Sequence, residues 1–158
     1  MDSFFILSCL FAGAAGSYVM GGTIQLLSRM GGGEEVDMVK ALGSLFTGNK
    51  ETATVTGILI HLAAGVGFGL VYGLVFISIG ITQFPGVLLV GLGFGLLHGI
   101  GMSYGLMLFI ADKHPREEYR SVTLLIGAAH LGGHVVYGGV VGLMGGLASL
   151  IGQAAGLS

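Results

Sequence analysis

The stretch HLAAGVGFGLVYG, residues 61 to 73, decides the fold. Its glycines Gly65, Gly69 and Gly73 recur every four residues, and His61 extends the same spacing toward the N-terminus. Positions four apart share one face of an α-helix. A helix with a face of glycines can approach its neighbours closely, as helices do in membranes. The stretch therefore predicts a tightly packed membrane helix that carries one imidazole on its packing face.

The composition of the whole chain agrees with a membrane protein. Of 158 residues, 53% are hydrophobic, only 9% are charged and 32 are glycine. Soluble domains carry about a quarter charged residues. The formal net charge of -2 gives no reason to expect a nucleic acid as a partner. A single cysteine, Cys9, excludes an internal disulfide.

Four apolar runs exceed the ~20 residues that a helix needs to cross a bilayer. They comprise residues 4–27, 53–79, 86–111 and 122–147. Lipid offers no partner to backbone polar groups, so these runs are predicted to be helical. Asp2 stands where a signal peptide has its basic region, so the first run is interpreted as a retained helix. The predicted fold class is an all-α membrane protein, a single domain built as a bundle of four transmembrane helices.

The basic residues predict the orientation of the chain. All six lie in the connections at residues 28–52 and 112–121: Arg29, Lys40, Lys50, Lys113, Arg116 and Arg120. The positive-inside rule places both connections in the cytoplasm and both termini outside, in a multi-pass protein of the cytoplasmic (inner) membrane. In the second connection, His114 is expected to be solvated. Pro115 is expected to open the next helix at its first turn.

The first connection contains a further helical pattern at residues 34–46. Its apolar residues recur at helical spacing: Val36, Val39, Leu42 and Phe46. The pattern predicts a short interfacial amphipathic helix, with Glu34 and Glu35 near its positive N-terminal end. Two interpretations are open, a surface helix that packs under the bundle and a docking site for a partner.

Glycines spaced by four also occur in the later spans. The residues predicted to pack helix against helix are Gly65, Gly69, Gly73, Gly91, Gly95, Gly99, Gly138 and Gly142. Four histidines share these faces: His61, His98, His130 and His134. Counted from the cytoplasmic ends at the helical rise, all four lie ~12 to 20 Å deep. The pairs at matched depth are His61 with His130 and His98 with His134.

Ionisable residues inside a bilayer are costly, so the histidines form a candidate functional site. The first of three open interpretations is structural, with neutral histidines hydrogen-bonded to hydroxyl groups. The hydroxyl candidates are Thr56, Tyr72, Ser103, Tyr104 and Tyr137. The second is a cofactor site for one haem b or for a His-ligated Cu, Fe or Zn ion, because imidazole is a common ligand of these metals. The third is a path for protons or a small solute. The methionines Met20, Met102, Met107 and Met144 are interpreted as packing residues rather than as copper ligands.

The two halves of the chain resemble each other. GLVYGLV at residues 69–75 is similar to HVVYGGV at 134–140, and GSYVMG at 16–21 is similar to MSYGLM at 102–107. These similarities predict a repeat of two helices, in which Gly65 corresponds to His130 and Gly69 to His134. Duplicated halves are familiar in transporters.

The runs MVKALGSLFTGN, HLAAGVGFGLVYGLVF and HLGGHVVYGGVVGLM together resemble a family of small, glycine-rich bacterial and archaeal membrane proteins with four helices, a domain of unknown function. The resemblance implies four helices and an interfacial segment, and it implies no activity. Short loops and glycine faces favour a non-catalytic, accessory subunit of a larger membrane complex. Its expected partners are lipid and either other membrane subunits or further copies of itself. A small channel or transporter that acts as an oligomer is the alternative.

Overall fold

The computed structural model of the protein describes residues 2–31, 37–121 and 123–156, and this part of the chain is helical with no strand. Its five helices are α1 (Asp2–Met30), α2 (Met38–Thr47), α3 (Lys50–Ser78), α4 (Gly86–Lys113) and α5 (Leu124–Ala154). All of them except α2 are long and apolar enough to cross a membrane. The prediction of an all-helical fold with four long apolar helices is therefore confirmed.

Capping interactions set helix ends that the hydrophobic pattern did not locate. Helix α3 begins before the predicted residue 53 because the side chain of Asn49 accepts a hydrogen bond from the Glu51 amide at 2.9 Å. At α5, the Thr123 hydroxyl accepts from the Ile126 amide at 3.3 Å. The expectation that Pro115 opens this helix was wrong. A short 3-10 turn at Glu117–Tyr119 follows that proline instead.

Helix α5 makes the most extensive contacts of the fold, with α1 on one side and α4 on the other. The backbone of helix α3 lies against α1 and α2, whereas α3 meets α4 and α5 mainly through side chains. The buried core between the four long helices lies away from the two connections. It is formed largely by Phe5, Cys9, Tyr72, Phe76, Val87, Tyr137 and Val141. The chain thus forms two helix pairs, α1 with α3 and α4 with α5, joined through the contact of α1 with α5.

Glycines allow the two helices of each pair to approach each other closely. A Cβ atom added to Gly69 would lie 3.0 Å from the Cα of Gly13, and one added to Gly138 would lie 2.9 Å from the Cα of Gly95. Every glycine that the sequence assigned to packing lies against another helix, namely Gly65, Gly69, Gly73, Gly91, Gly95, Gly99, Gly138 and Gly142. The helix backbones therefore meet with no side chain between them.

The two pairs use corresponding positions of the predicted repeat. Gly69 of α3 lies against Cys9 and Gly13 of α1. Its counterpart, His134 of α5, lies against Gly95 and Gly99 of α4. A repeat of two helices would produce these matching contacts of Gly69 and His134. The duplication itself stays a prediction.

Helix α2 occupies the predicted interfacial segment. Val39 and Leu42 of the predicted apolar face are half-buried, but the most buried residues of the helix lie elsewhere. Asp37 caps the helix by accepting from the Lys40 amide at 2.8 Å, whereas Glu34, Glu35 and Val36 lie outside the described residues. The buried residues are Met38, Ala41, Gly43 and Ser44, while Phe46 of the predicted apolar face is 71% exposed. Small residues are buried here because α2 meets α3 closely, where a Cβ on Gly43 would lie 2.9 Å from the Cα of Gly57.

The two basic connections meet at one end of the bundle. His114, which was expected to be solvated, is fully buried there. Its Nε2 atom lies 3.0 Å from the hydroxyl of Ser44 and 3.1 Å from the carbonyl of Ala41, both on α2. The Arg116 amide donates to its Nδ1 atom at 3.1 Å. An imidazole with partners on both nitrogens can leave water without penalty, which the spacing of the sequence does not reveal.

A buried tyrosine joins α5 to α3. The hydroxyl of Tyr137 donates to the carbonyl oxygen of Gly65 at 2.6 Å. We expect Tyr137→Phe to lower the free energy of unfolding by about 1 kcal/mol, because one buried interhelical hydrogen bond is lost. Equilibrium unfolding in detergent micelles measures this difference. Tyr18→Phe is the control, since Tyr18 is 86% exposed, and an equal effect of both variants would contradict the prediction.

Candidate functional site: two cavities lined by histidines

The four histidines are divided between two adjoining cavities. The large cavity, of about 660 Å³, lies between α1, α3 and α5 beneath the start of α2, and both His61 and His130 line it. The small cavity, of about 50 Å³, is lined by His61, His98 and His134. His61 thus belongs to both. Of the pairs expected from depth, His61 and His130 share the large cavity, and His98 and His134 share the small cavity, which His61 also lines.

The small cavity has aromatic and thioether walls. The rings of His98 and His134 meet edge to face with their centroids 4.8 Å apart. The ring of Phe68 stacks on His98 at 3.9 Å. The remaining lining residues are Ser17, Met20, Ala64, Gly65, Met102 and Tyr137. The cavity has room for an ion or for one or two water molecules.

Backbone carbonyl groups fix two of the histidine rings on α5. The Nδ1 atom of His130 lies 2.8 Å from the carbonyl of Ile126, and that of His134 lies 2.8 Å from the carbonyl of His130. A carbonyl oxygen only accepts, so both Nδ1 atoms donate. In a neutral ring the lone pair is then on Nε2. Histidines that bind metals are commonly held in this way through their other nitrogen.

Two histidine nitrogens have no partner. The Nε2 atoms of His61 and His98 are buried and make no hydrogen bond to the described residues. His98 uses only its Nδ1 atom, which lies 3.3 Å from the hydroxyl of Tyr72. A buried, unpaired nitrogen in a folded protein calls for a missing water, ion or ligand. The small cavity is lined by both residues, which makes it a candidate site for such a group, and His61 also lines the large cavity.

A π-helical segment interrupts α4 directly after His98. It covers Gly101–Leu106 and includes Met102, which lines the small cavity. It also includes Ser103, whose hydroxyl lies 3.4 Å from Nδ1 of His134. Single π-helical turns occur frequently at functional sites, because they turn side chains that a regular helix would direct elsewhere.

The purely structural interpretation accounts for part of the cluster. Of the five hydroxyl candidates, that of Tyr72 lies 3.3 Å from Nδ1 of His98, and that of Ser103 lies 3.4 Å from Nδ1 of His134. Both distances are long for a hydrogen bond. The hydroxyl of Tyr137 instead reaches Gly65. Hydrogen bonding within the protein thus leaves the two Nε2 atoms unexplained.

The geometry of the two cavities restricts which cofactor the histidines could bind. Within the described part of the chain, no group of three or more His, Cys, Asp or Glu side chains is arranged to hold a metal ion. A haem does not fit between His98 and His134, because their rings are in contact. The large cavity has the size of a small-molecule site. However, the carboxylate of Asp37 at the edge of the large cavity would repel the two negatively charged propionates of a haem b.

Among the described residues, no path for protons or a small solute continues beyond the histidines. On the side away from the connections, the core consists of the closely packed residues Phe5, Cys9, Phe76, Val87 and Val141, each at most 2% exposed. The large cavity therefore ends blindly within the bundle.

The sequence assigned Met20 and Met102 to packing, and both line the small cavity. Met102 follows His98 by four residues, a spacing that could have indicated it as a partner. The sequence contained no such signal for the large cavity, because this cavity arises where α1 and α3 diverge. The chain matches no protein-family profile, no curated protein and no solved structure. The functional assignment therefore rests on this geometry alone.

Proposed function

We propose that the chain is a membrane-spanning accessory subunit that binds one Cu(I) ion in the small cavity. The observation that carries this proposal is the pair of buried, unpaired Nε2 atoms of His61 and His98 at one cavity. The thioethers of Met20 and Met102 line the same cavity. Together these groups provide two imidazole and two thioether ligands from three different helices.

The ligand types favour copper over other metals. Thioether sulfur is a soft ligand that selects Cu(I), whereas Mg²⁺ and Ca²⁺ require oxygen ligands. No carboxylate is present among the described residues that line the small cavity. A singly charged ion also loses less hydration energy than a doubly charged ion on entering an apolar interior. The set of ligands includes only two histidines, so it does not require a group of three His, Cys, Asp or Glu side chains, which the described part of the chain does not contain.

The membrane assignment is supported by the surface of the bundle. Large apolar side chains are exposed along the four long helices, among them Phe11, Leu59, Leu89 and Leu124. Both basic connections lie at the same end, joined by His114 and Ser44. We place this end in the cytoplasm and both termini outside, in a multi-pass protein of the inner membrane. Partner subunits or further copies would bind to the same exposed helix faces.

Copper binding is tested on the full chain in lipid nanodiscs under reducing conditions. Cu(I) is titrated in competition with a coloured chelator, and we expect one ion per chain. Met102→Leu should weaken binding by at least about 100-fold, because even residues that only orient a ligand contribute about 10–100-fold to affinity. His98→Phe should abolish binding. The metal content after purification gives an independent measurement.

Two comparisons separate this proposal from its alternatives. Met144→Leu is the matched control, since Met144 packs against the core and does not line the small cavity. With Zn²⁺ as the probe, Met102→Leu should have no effect, because zinc takes nitrogen and anionic ligands. Equal Cu(I) affinity of Met102→Leu and Met144→Leu would refute the copper site. A Soret band that disappears in His130→Ala would instead assign haem to the large cavity.

A further inference from the structure

The large cavity exists because α1 and α3 diverge toward the connections. Near the middle of the bundle, Gly13 of α1 meets Gly65 and Gly69 of α3 at backbone contact. Closer to the connections the helices separate, and the cavity lies between them. Asp37 and Met38 cover its end. A cleft between two membrane helices is thus closed above and below and open at the side.

The side opening faces the surrounding lipid. Tyr18 of α1 and Leu62 of α3 line the cavity and are 86% and 40% exposed. Each lies about 18 Å along its helix from the connection end, which is within the hydrocarbon layer. Gly21 and Gly22 also line the cavity, and a Cβ atom on either would meet nothing within 4 Å. Hydrocarbon chains can therefore enter between the two helices.

The interior of the cavity offers hydrogen bonds that lipid chains cannot satisfy. His130 has its Nδ1 atom engaged by Ile126, so its Nε2 atom is an acceptor. Thr54 and Ser28 add hydroxyl groups, and Asp37 adds a carboxylate at the end near the connections. These groups favour a head group that donates hydrogen bonds and carries no negative charge.

We propose that the large cavity binds an amphiphile with a neutral hydroxyl or a cationic head group, which enters from the lipid between α1 and α3. Its head group donates to Nε2 of His130, and its hydrocarbon chain leaves past Tyr18 and Leu62. This second site depends on the proposed membrane insertion. It shares Ser17 and His61 with the small cavity, but the polar groups proposed to hold the head group, those of His130, Thr54 and Asp37, do not line the small cavity.

Photoactivatable probes test the site in the full chain in nanodiscs. The probes share one hexadecyl chain and carry a hydroxyl, an ammonium or a carboxylate head group, and a fourth probe is a phosphatidylcholine with the same photoreactive group. We expect the hydroxyl and ammonium probes to label residues of the large cavity preferentially. The carboxylate and phosphatidylcholine probes should label only the exposed helix faces, such as Phe11. Labelling of those faces by any probe also reports membrane insertion separately from the site.

A steric variant provides the decisive comparison. Gly21→Phe places a ring at the opening, at a position where a Cβ atom meets nothing within 4 Å, whereas Gly93→Phe places the same ring on an outer face of α4 where a Cβ also meets nothing within 4 Å. We expect Gly21→Phe to reduce cavity labelling about tenfold, the effect of losing about 1.4 kcal/mol of binding energy. Gly93→Phe should leave it unchanged, and both variants should retain Cu(I) binding.

Three results would overturn the inference. They are equal cavity labelling in Gly21→Phe and Gly93→Phe, cavity labelling by phosphatidylcholine as strong as that by the hydroxyl probe, and no preference for the cavity with any probe. The second would show that bulk lipid fills the cleft. In each case Cu(I) binding is measured on the same sample, so failure of this site is distinguished from failure of the copper site.

Discussion

Replacement of Gly138 by valine is expected to separate α4 from α5 and to lower the free energy of unfolding by about 3 kcal/mol or more. A side chain at this position would meet the carbonyl group of Gly91 and the Cα and amide nitrogen of Gly95, the last two at 2.9 Å. These atoms belong to the backbone of α4, so they cannot rotate away. The helices must therefore move apart and lose contacts along the whole interface.

Unfolding of the purified protein in detergent micelles measures this effect. The control is Gly93→Val on α4, because a Cβ there meets nothing within 4 Å while the change of helix propensity is the same. The control should unfold at or slightly above the wild-type midpoint. If Gly138→Val unfolded at the same midpoint as Gly93→Val, the close contact of α4 with α5 would be wrong.

Replacement of His114 by alanine is expected to loosen the contact of α2 with the second connection and to lower the free energy of unfolding by about 3 kcal/mol. Two effects add here: the loss of a fully buried ring and the loss of partners for polar groups that stay buried. The Ser44 hydroxyl and the Arg116 amide both lose a partner. The ring of Tyr119, 4.7 Å from that of His114, loses its neighbour.

Hydrogen–deuterium exchange locates this change. Amides of α2 should exchange faster in His114→Ala, and those of the middle of α5 should keep their protection. Glu118→Gln is the control. Glu118 also joins the two connections, through an ion pair with the Lys50 ammonium at 2.9 Å, but this pair lies on the surface. The Lys50 ammonium lowers the pKa of this carboxyl group, and exposed pairs of this kind contribute little to stability. Unchanged exchange in α2 of His114→Ala would disprove the role of His114.

Much of the fold was predictable because it follows from local chemistry. Apolar runs long enough to span a bilayer must be helical, and glycines at every fourth position must share a face. Both features are properties of a single helix, so the sequence alone contains them. The same spacing placed His61 and His134 on packing faces, since each continues a run of glycines. Helix ends were less accurate, because caps such as Asn49 depend on one side chain rather than on a long pattern.

What the sequence by itself determined is therefore the number of long apolar helices and the packing faces of those helices, together with the candidate histidines. Only the tertiary structure decided how those residues combine. It divided the histidines between two cavities and added Met20 and Met102 to one of them. It also buried His114 against α2, far from it in sequence. The physical reason is that periodicity reports which face of a helix is covered, whereas cavities and buried polar contacts depend on how neighbouring helices cross and diverge.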